Sequence, residues 1–320
     1  MKFSPSTGAL TAASLAGSAL AGTYNVADNI VGNGFYNSFG FEAIADPTAG
    51  RVNYVDLATA QSLNLTYTNG NSFVIRADDT TVLTASGPGR NSVRVKSNTA
   101  YTTHAAIFDI AHMPEGCGSW PAVWETNESN WPAGGEVDIV EGVNNVTPNQ
   151  ATLHTNPGCT IPSSGGMLGT VVNADCNADA TGNPGCGVQF TEDKNSFGPG
   201  FNGVGGGWYA VERTNSAISV WFWERGSTSV PSQVSSGASS IDTSTWGTPA
   251  AYFPSTSCDI STMFDANNII INLTFCGAWA GQASIYSASG CPSDCVSYVN
   301  ANPSAFTNAY FEFNAINVYT

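Results

Sequence analysis

The sequence predicts an all-β protein, and three observations carry that reading. Charged residues make up 10% of the chain, and Gly and Pro together number 50. No stretch places Leu, Ala, Glu and Lys at the 3.6-residue period of a long amphipathic helix. Short runs of β-branched and aromatic residues recur instead, separated by Gly, Pro, Asn and Ser turns, the signature of an antiparallel sandwich or barrel.

Taken in order, the runs are "RVNYVDL" from Arg51, "NSFVIRADD" from Asn71, "NSVRVKS" from Asn91 and "HAAIFDIAHM" from His104. "EVDIVEG" from Glu136 and "QATLHTN" from Gln150 follow. "GWYAVERTN" and "AISVWFWERG" lie either side of Thr214-Asn215-Ser216 and predict a hairpin across those residues. "NIIINLTFCG" from Asn268 and "AYFEFNAINVYT" from Ala309 close the series. Residues 155–207 carry three cysteines and little strand signal, and are expected as a disulfide-pinned excursion over one face. The segment "SSGASSIDTST" (235–245) reads as a surface loop. There is no internal repeat and no linker, so one domain is expected over 22–320.

Residues 1–21 are set apart. One cation (Lys2), an Ala- and Leu-containing stretch and a final Ala19-Leu20-Ala21 match a secretory signal peptide. Eight cysteines (117, 159, 176, 186, 258, 276, 291 and 295) fit an oxidising compartment and four disulfides, whose pairing the sequence leaves open among 105 possibilities. Cys291/Cys295 and Cys176/Cys186 are the close pairs. No CxxC exists, and His104, His112 and His154 lack finger spacing, so a zinc site is not expected. Nor is there an EF-hand-like run; no metal or cofactor is expected. Sequons at Asn64, Asn127, Asn145 and Asn272 are candidate glycosylation sites. Asn272, within "IIINLTF", is the one least suited to exposure. Without the leader, eight cations face 24 acids, a net charge of −16. That excludes nucleic acid and anionic membranes as partners and suits an extracellular, monomeric protein acting on an uncharged polymer. No other stretch reaches the roughly 18 apolar residues of a membrane span.

"GGEVDIVEGVNN" concentrates three acids, Glu136, Asp138 and Glu141, in six positions. On a strand, Glu136 and Asp138 share a face while Glu141 should point away. A β-bulge near Ile139-Val140 would return Glu141 to that face, and bulges are common beside active sites for this reason. Three like charges on one face raise one another's affinity for protons, leaving one acid protonated and another ionised. A general acid and a nucleophile need those two states. The bland alternative is a solvated acidic strand or a calcium-binding edge. Spacing does not decide between the short carboxyl separation of a retaining glycosidase and the longer one of an inverting enzyme. Upstream, Trp120, Trp124 and Trp131 fall within twelve residues. Exposed indole faces beside carboxylates mark a saccharide cleft; Trp124 and Trp131 are expected there, with at least one of the three in the core.

"GEVDIVEG" resembles the bulged E-x-D-x-x-E signature of glycoside hydrolase family 16. "CGSWPAVWE", "TLHTN", "GGGWYAVERTN" and "DANNIIINLTFCGAWAGQAS" extend the resemblance over the chain after residue 21, towards secreted laminarinases of white-rot fungi. The resemblance implies a concanavalin-like β-jelly roll with a concave cleft and endo-hydrolysis of β-1,3-glucan, with mixed β-1,3/1,4 linkages also in range, and with retention of configuration. It casts Glu136 as nucleophile, Glu141 as general acid/base and Asp138 between them. His154 is expected near Glu141. Arg94 resembles a sugar-contacting arginine, though a salt bridge would explain it as well. Trp279 resembles a platform at the far end of the cleft, with Tyr36 and Asn53 as further candidate contacts. Transglycosylation and a glucan-binding lectin are the rival readings. The lectin would gain nothing from two buried acids.

Overall fold

The computed structural model describes residues 22–320, so the signal-peptide reading of residues 1–21 lies outside the described residues. Two large antiparallel sheets stack face to face. Across the first, the strand order is Thr170–Val171, Cys186–Gln189, Gln150–His154, Glu136–Glu141, Ser119–Thr126, Asn267–Phe275, Arg94–Tyr101 and Phe39–Phe41. Across the second it is Ser240–Asp242, Thr23–Ile30, Tyr310–Tyr319, His104–His112, Gly207–Arg213, Ala217–Glu224 and Ala251–Pro254, with Ser72–Arg76 also pairing on Tyr310–Tyr319. The hairpin turns at Thr214-Asn215-Ser216 as expected, where Thr214 Oγ1 accepts the amides of Ser216 and Ala217.

Alternation fills the space between the sheets. Val95, Val123, Val137 and Ile271 point inward from the first sheet, and Phe108, Val211, Val220 and Phe313 from the second. On the central strands of the second sheet the intervening residues are covered as well. Ala105, Ile107, Ala210 and Trp221 pack outward with Trp208, Trp223 and Trp246. Residues 235–245 help cover that face, and the expected surface loop contributes a strand, Ser240–Asp242, paired with Thr23–Ile30. Buried between the sheets, His104 Nε2 lies 2.9 Å from Glu125 Oε1.

"RVNYVDL" departs from expectation. Val52–Tyr54 pairs only with Arg90–Ser92, in parallel, and Asp56 then caps a short helix, Leu57–Ser62. Every helix among the described residues is short, the longest being Cys295–Ala301 with seven residues. The disulfides are Cys117–Cys291, Cys159–Cys258, Cys176–Cys186 and Cys276–Cys295. Of the two close pairs only Cys176/Cys186 forms. Cys291 and Cys295 instead tie residues 277–306 to the sheet, around a separate apolar cluster of Tyr286, Val299 and Phe306.

Candidate active site

Strand Glu136–Glu141 lies in the middle of the first sheet, and its register with Ser119–Thr126 answers the alternation problem. Glu136 stands opposite Thr126 and Asp138 opposite Trp124; the register then shifts, so that Val140 meets Val123 and Glu141 meets Ala122. Ile139 is the extra residue. Thr126, Trp124 and Ala122 all face outward, so all three acids do too, while Val137, Ile139 and Val140 are fully buried. On the other edge, pairing with Gln150–His154 ends at Asp138–Thr152. There the fully buried Asn149 takes over from the missing ladder. Its Nδ2 donates to Ile139 O, and its Oδ1 accepts the Glu141 amide, both at 2.9 Å. Before the strand, Gly135 holds φ +71°, and a Cβ there would meet Phe264 Cδ1 at 2.3 Å. Only glycine can lead the chain into Glu136 at this point.

The acids line a cleft of ≈ 920 Å³. Trp120, Trp124 and Trp131 all line it, so the expectation that one belongs to the core is wrong. The core indoles come from the second sheet. Nor do the three act by ring face alone. Trp131 Nε1 donates to Glu136 Oε2 at 2.6 Å, and Trp120 Nε1 donates to Glu141 Oε1 at 2.9 Å. Trp124 Nε1 donates to Asn272 Oδ1 at 2.7 Å. Each glutamate thus has one oxygen held by an indole. Trp131 is 45% exposed and keeps a ring face free for a sugar. Trp279 also lines the cleft, edge-on to Trp120 with ring centroids 5.6 Å apart.

Burial pushes Glu136 up to about 7, and the Asp138 charge adds to this; His154, the Trp131 N–H and Arg94 pull the other way. Glu141 stands well above the usual carboxylate range for the same two reasons, burial first, opposed by Trp120 and His154. His154 pairs in register with Glu136 and points to Asp138 rather than to Glu141: its Nε2 is 3.4 Å from Asp138 Oδ2. That is an ion-pair separation, longer than a good hydrogen bond. Asp138 Oδ2, buried, has no hydrogen-bond partner. Burial works against charge on His154, but Asp138, Glu136 and Glu141 outweigh it and lift the imidazole to about 10. Glu136, Asp138 and His154 are the group of described side chains whose donor atoms converge, within 4.8 Å of one another, as an ion would need. The imidazolium itself supplies the positive charge at that point.

Arg94 forms the salt bridges of one reading from a position on the cleft. It lines the cleft with its guanidinium 5.0 Å over the Trp124 ring, and it binds Glu42 and Glu128, which Lys96 also binds. Tyr36 and Asn53 do not line the cavity. Tyr36 packs edge-on against Phe73, with its hydroxyl on Thr66; Asn53 bonds Asn91 in the small parallel pair. Asn272 is wrong as a glycan acceptor. It is 7% exposed, accepts from Trp124 and donates to Tyr54 Oη at 3.1 Å. Asn127 is partly buried and engages Asp265 through Nδ2, and Asn145 accepts the Gly116 amide, whereas Asn64 stands exposed on a turn. Sequence reasoning missed Asn149, whose sole signal is its place just before "QATLH". It also missed Asp265, whose carboxylate accepts from Asn127 and Asn130 and so secures the loop bearing Trp131.

Comparison with known proteins follows the same lines. A family model described as XgeA-like, catalytic GH16 domain, matches residues 39–319. The structure of GH16 laminarinase 16A from Phanerochaete chrysosporium, with 6-O-glucosyl-laminaritriose in both donor and acceptor sites, is 59% identical with a TM-score of 0.92. The match covers 93% of this chain and 100% of that one. An elongating family 16 β-1,3-glucosyltransferase is 36% identical, with a TM-score of 0.83 and the same two coverages. A probable endo-1,3(4)-β-glucanase of Aspergillus niger is 41% identical over 324 residues, 98% of this chain and 42% of its own length. Probable endo-1,3(4)-β-glucanases of Neosartorya fischeri and Aspergillus clavatus are matched over 46% of theirs, so the chain spans just under half of these proteins.

Proposed function

The chain belongs to the GH16 family of glycoside hydrolase catalytic domains, and from that premise we propose that it is a secreted endo-β-1,3(4)-glucanase acting with retention. One observation carries the reading. The bulge at Ile139 brings two glutamates, each bonded by an indole N–H, to one face at the floor of a cleft lined with tryptophan. Glu136, in register with His154 and bonded by the Trp131 N–H, has both to stabilise its charge and suits the nucleophile. Glu141, which burial holds well above the usual carboxylate range, suits the acid.

In the first step a Glu136 oxygen attacks the anomeric carbon while the Glu141 proton passes to the departing glycosidic oxygen. The C–O bond breaks and a glycosyl ester forms. Glu141, now ionised, takes a proton from water, whose oxygen displaces Glu136 from the same carbon and restores the β configuration. Asp138 repels charge on both glutamates and is itself balanced by His154. Trp131, Trp124, Arg94, Trp120 and Trp279 are assigned to sugar contacts along the cleft. The neutral β-glucan, the net negative charge and four disulfides suit an extracellular monomer with a glycan at Asn64.

The test is product release from linear β-1,3-glucan by the wild type and by Glu136→Gln. Activity that falls at least about 10³-fold in the variant, the scale of losing a nucleophile, supports both enzyme and site. A Glu136→Gln enzyme that keeps its rate would overturn the assignment. The likeness to an elongating glucosyltransferase favours one second reading, in which a sugar replaces water in the second step. Products longer than the substrate would assign it.

A further inference from the structure

We propose that Asn183 is a positioning residue for the reaction proposed above: from a disulfide-closed loop it fixes the ring and the tautomer of His154, and so keeps a permanent positive charge behind Asp138. The assignment rests on that function and adds to it a loop to which the sequence gives no chemical role.

The geometry begins at the backbone. Cys176–Cys186 joins two cysteines ten residues apart, and Gly182, Asn183 and Pro184 within that loop line the cleft. Asn183 adopts φ +45° and Gly185 φ +59°, so the chain doubles back just before Cys186. It does so directly over His154. A Cβ on Gly185 would meet Thr152 Cγ2 at 2.5 Å, His154 Cε1 at 2.7 Å and Leu153 O at 2.7 Å. The loop therefore forms a lid on the imidazole, and Asn183 Oδ1 is left 2.9 Å from its Nδ1.

The chemistry follows from which atoms can give a proton. A carbonyl oxygen only accepts, so Nδ1 must carry the hydrogen of that bond. Asp138 Oδ2, on the opposite side at 3.4 Å, accepts as well and has no other partner. Either neutral tautomer would leave one nitrogen lone pair facing an oxygen. The imidazole is thus held doubly protonated by a neutral acceptor on one side and a carboxylate on the other. The charges acting on it are Glu136, Asp138 and Glu141, all from one strand. The loop contributes the neutral Asn183 and the backbone at Gly185. Thr152, beside His154 on its own strand, is neutral, and Arg94 acts from across the cleft on Glu136. Without Asn183, the tautomer protonated on Nε2 alone could still serve Asp138, and the positive charge would no longer be obligatory.

Two substitutions isolate the acceptor. Asn183→Gly keeps the left-handed backbone without strain and removes only the amide, whereas Asn183→Asp retains an oxygen in a residue that also tolerates this conformation. The imidazole of His154 is followed by ¹⁵N NMR, its signal identified as the one lost in His154→Gln. Losing one charge-assisted hydrogen bond should lower the deprotonation midpoint in Asn183→Gly by about one to two pH units. The same variant should lose about tenfold in kcat, with KM changed less than about twofold, as for other partners that orient a catalytic imidazole. Asn183→Asp should return the midpoint to the wild-type value or above it, since its carboxylate adds charge, and should recover kcat. A midpoint in Asn183→Gly within a few tenths of wild type, or no rescue by Asp, overturns the proposal and leaves Asn183 a loop residue. The titration needs no turnover. An active Glu136→Gln would therefore sink the glucanase mechanism while leaving this result to stand or fall separately.

Discussion

Trp131 and Trp120 do the same thing to different acids. Each indole N–H stabilises the ionised form of its glutamate, and replacing the indole by a phenyl ring removes that donor while keeping an apolar surface. A lost bond to the charged form raises a carboxyl's pKa. As the proposed nucleophile, Glu136 must be ionised to attack, so in Trp131→Phe the acid limb of kcat/KM moves to higher pH. As the proposed acid, Glu141 must be protonated to donate, so in Trp120→Phe the alkaline limb moves up instead. Full pH profiles of both variants check this; an alkaline-limb shift in Trp131→Phe with an acid-limb shift in Trp120→Phe would reverse the assignment of roles. The three acids were legible because their spacing breaks a simple rule. The indole roles were not, since ring face and N–H edge share one letter in the sequence. Asn272 was legible only as a sequon, and its two cleft bonds come from strands far away in the chain.

At the scale of elements, the bulge depends on Asn149. Asn149→Ala leaves Ile139 O and the Glu141 amide without partners in a dry site, each costing about 1–3 kcal/mol. The expected loss is about 2–4 kcal/mol in urea unfolding, with activity reduced further because Glu141 is no longer fixed. Unchanged stability would mean that the bulge is held by the strands alone. Long strands were readable from their alternation; Thr170–Val171 and Ser240–Asp242 were not, because two or three residues have no measurable period. Residues 155–207 are pinned by two disulfides, as expected, and part of them walls the cleft, with Asn173, Asn183 and Pro184 lining it.

Over the whole molecule, sheet order and disulfide pairing lay beyond the sequence, since both depend on which distant strands meet. The His104–Glu125 pair is an example: one partner comes from each sheet, and neither carries a signal in its own segment. His104→Leu strands a buried carboxylate and should cost about 3–5 kcal/mol, most of it recovered in the double variant with Glu125→Leu. Additive losses in the urea cycle would show the two to be independent. The pH dependence of stability is also collective. Folded, Glu136 titrates near 7 against an ordinary 4.5, Asp193 near 6 against 3.8, and His154 near 10 against 6.5. All three are raised, so their stabilisation is complete below the lower value of each pair and lost as pH climbs through the upper. Against the pull of burial, Lys96 and Arg94 hold Glu128 low, and its contribution is lost only in acid. The melting temperature should therefore be higher at pH 5 than at pH 8; the reverse order would contradict these shifts.

The placing of the few cations bears on how the protein travels. Arg76, Arg94, Lys96 and Arg225 each grip a carboxylate. Arg51, Arg90 and Arg213 turn onto main-chain carbonyls. Among the described residues Lys194 alone is left pointing outward without either, so nearly every direction of approach meets negative potential. Such a particle is repelled by anionic gels instead of adsorbing to them. The grip proposed for it on an uncharged polymer, made by shape and ring contact, is then indifferent to the salt around it.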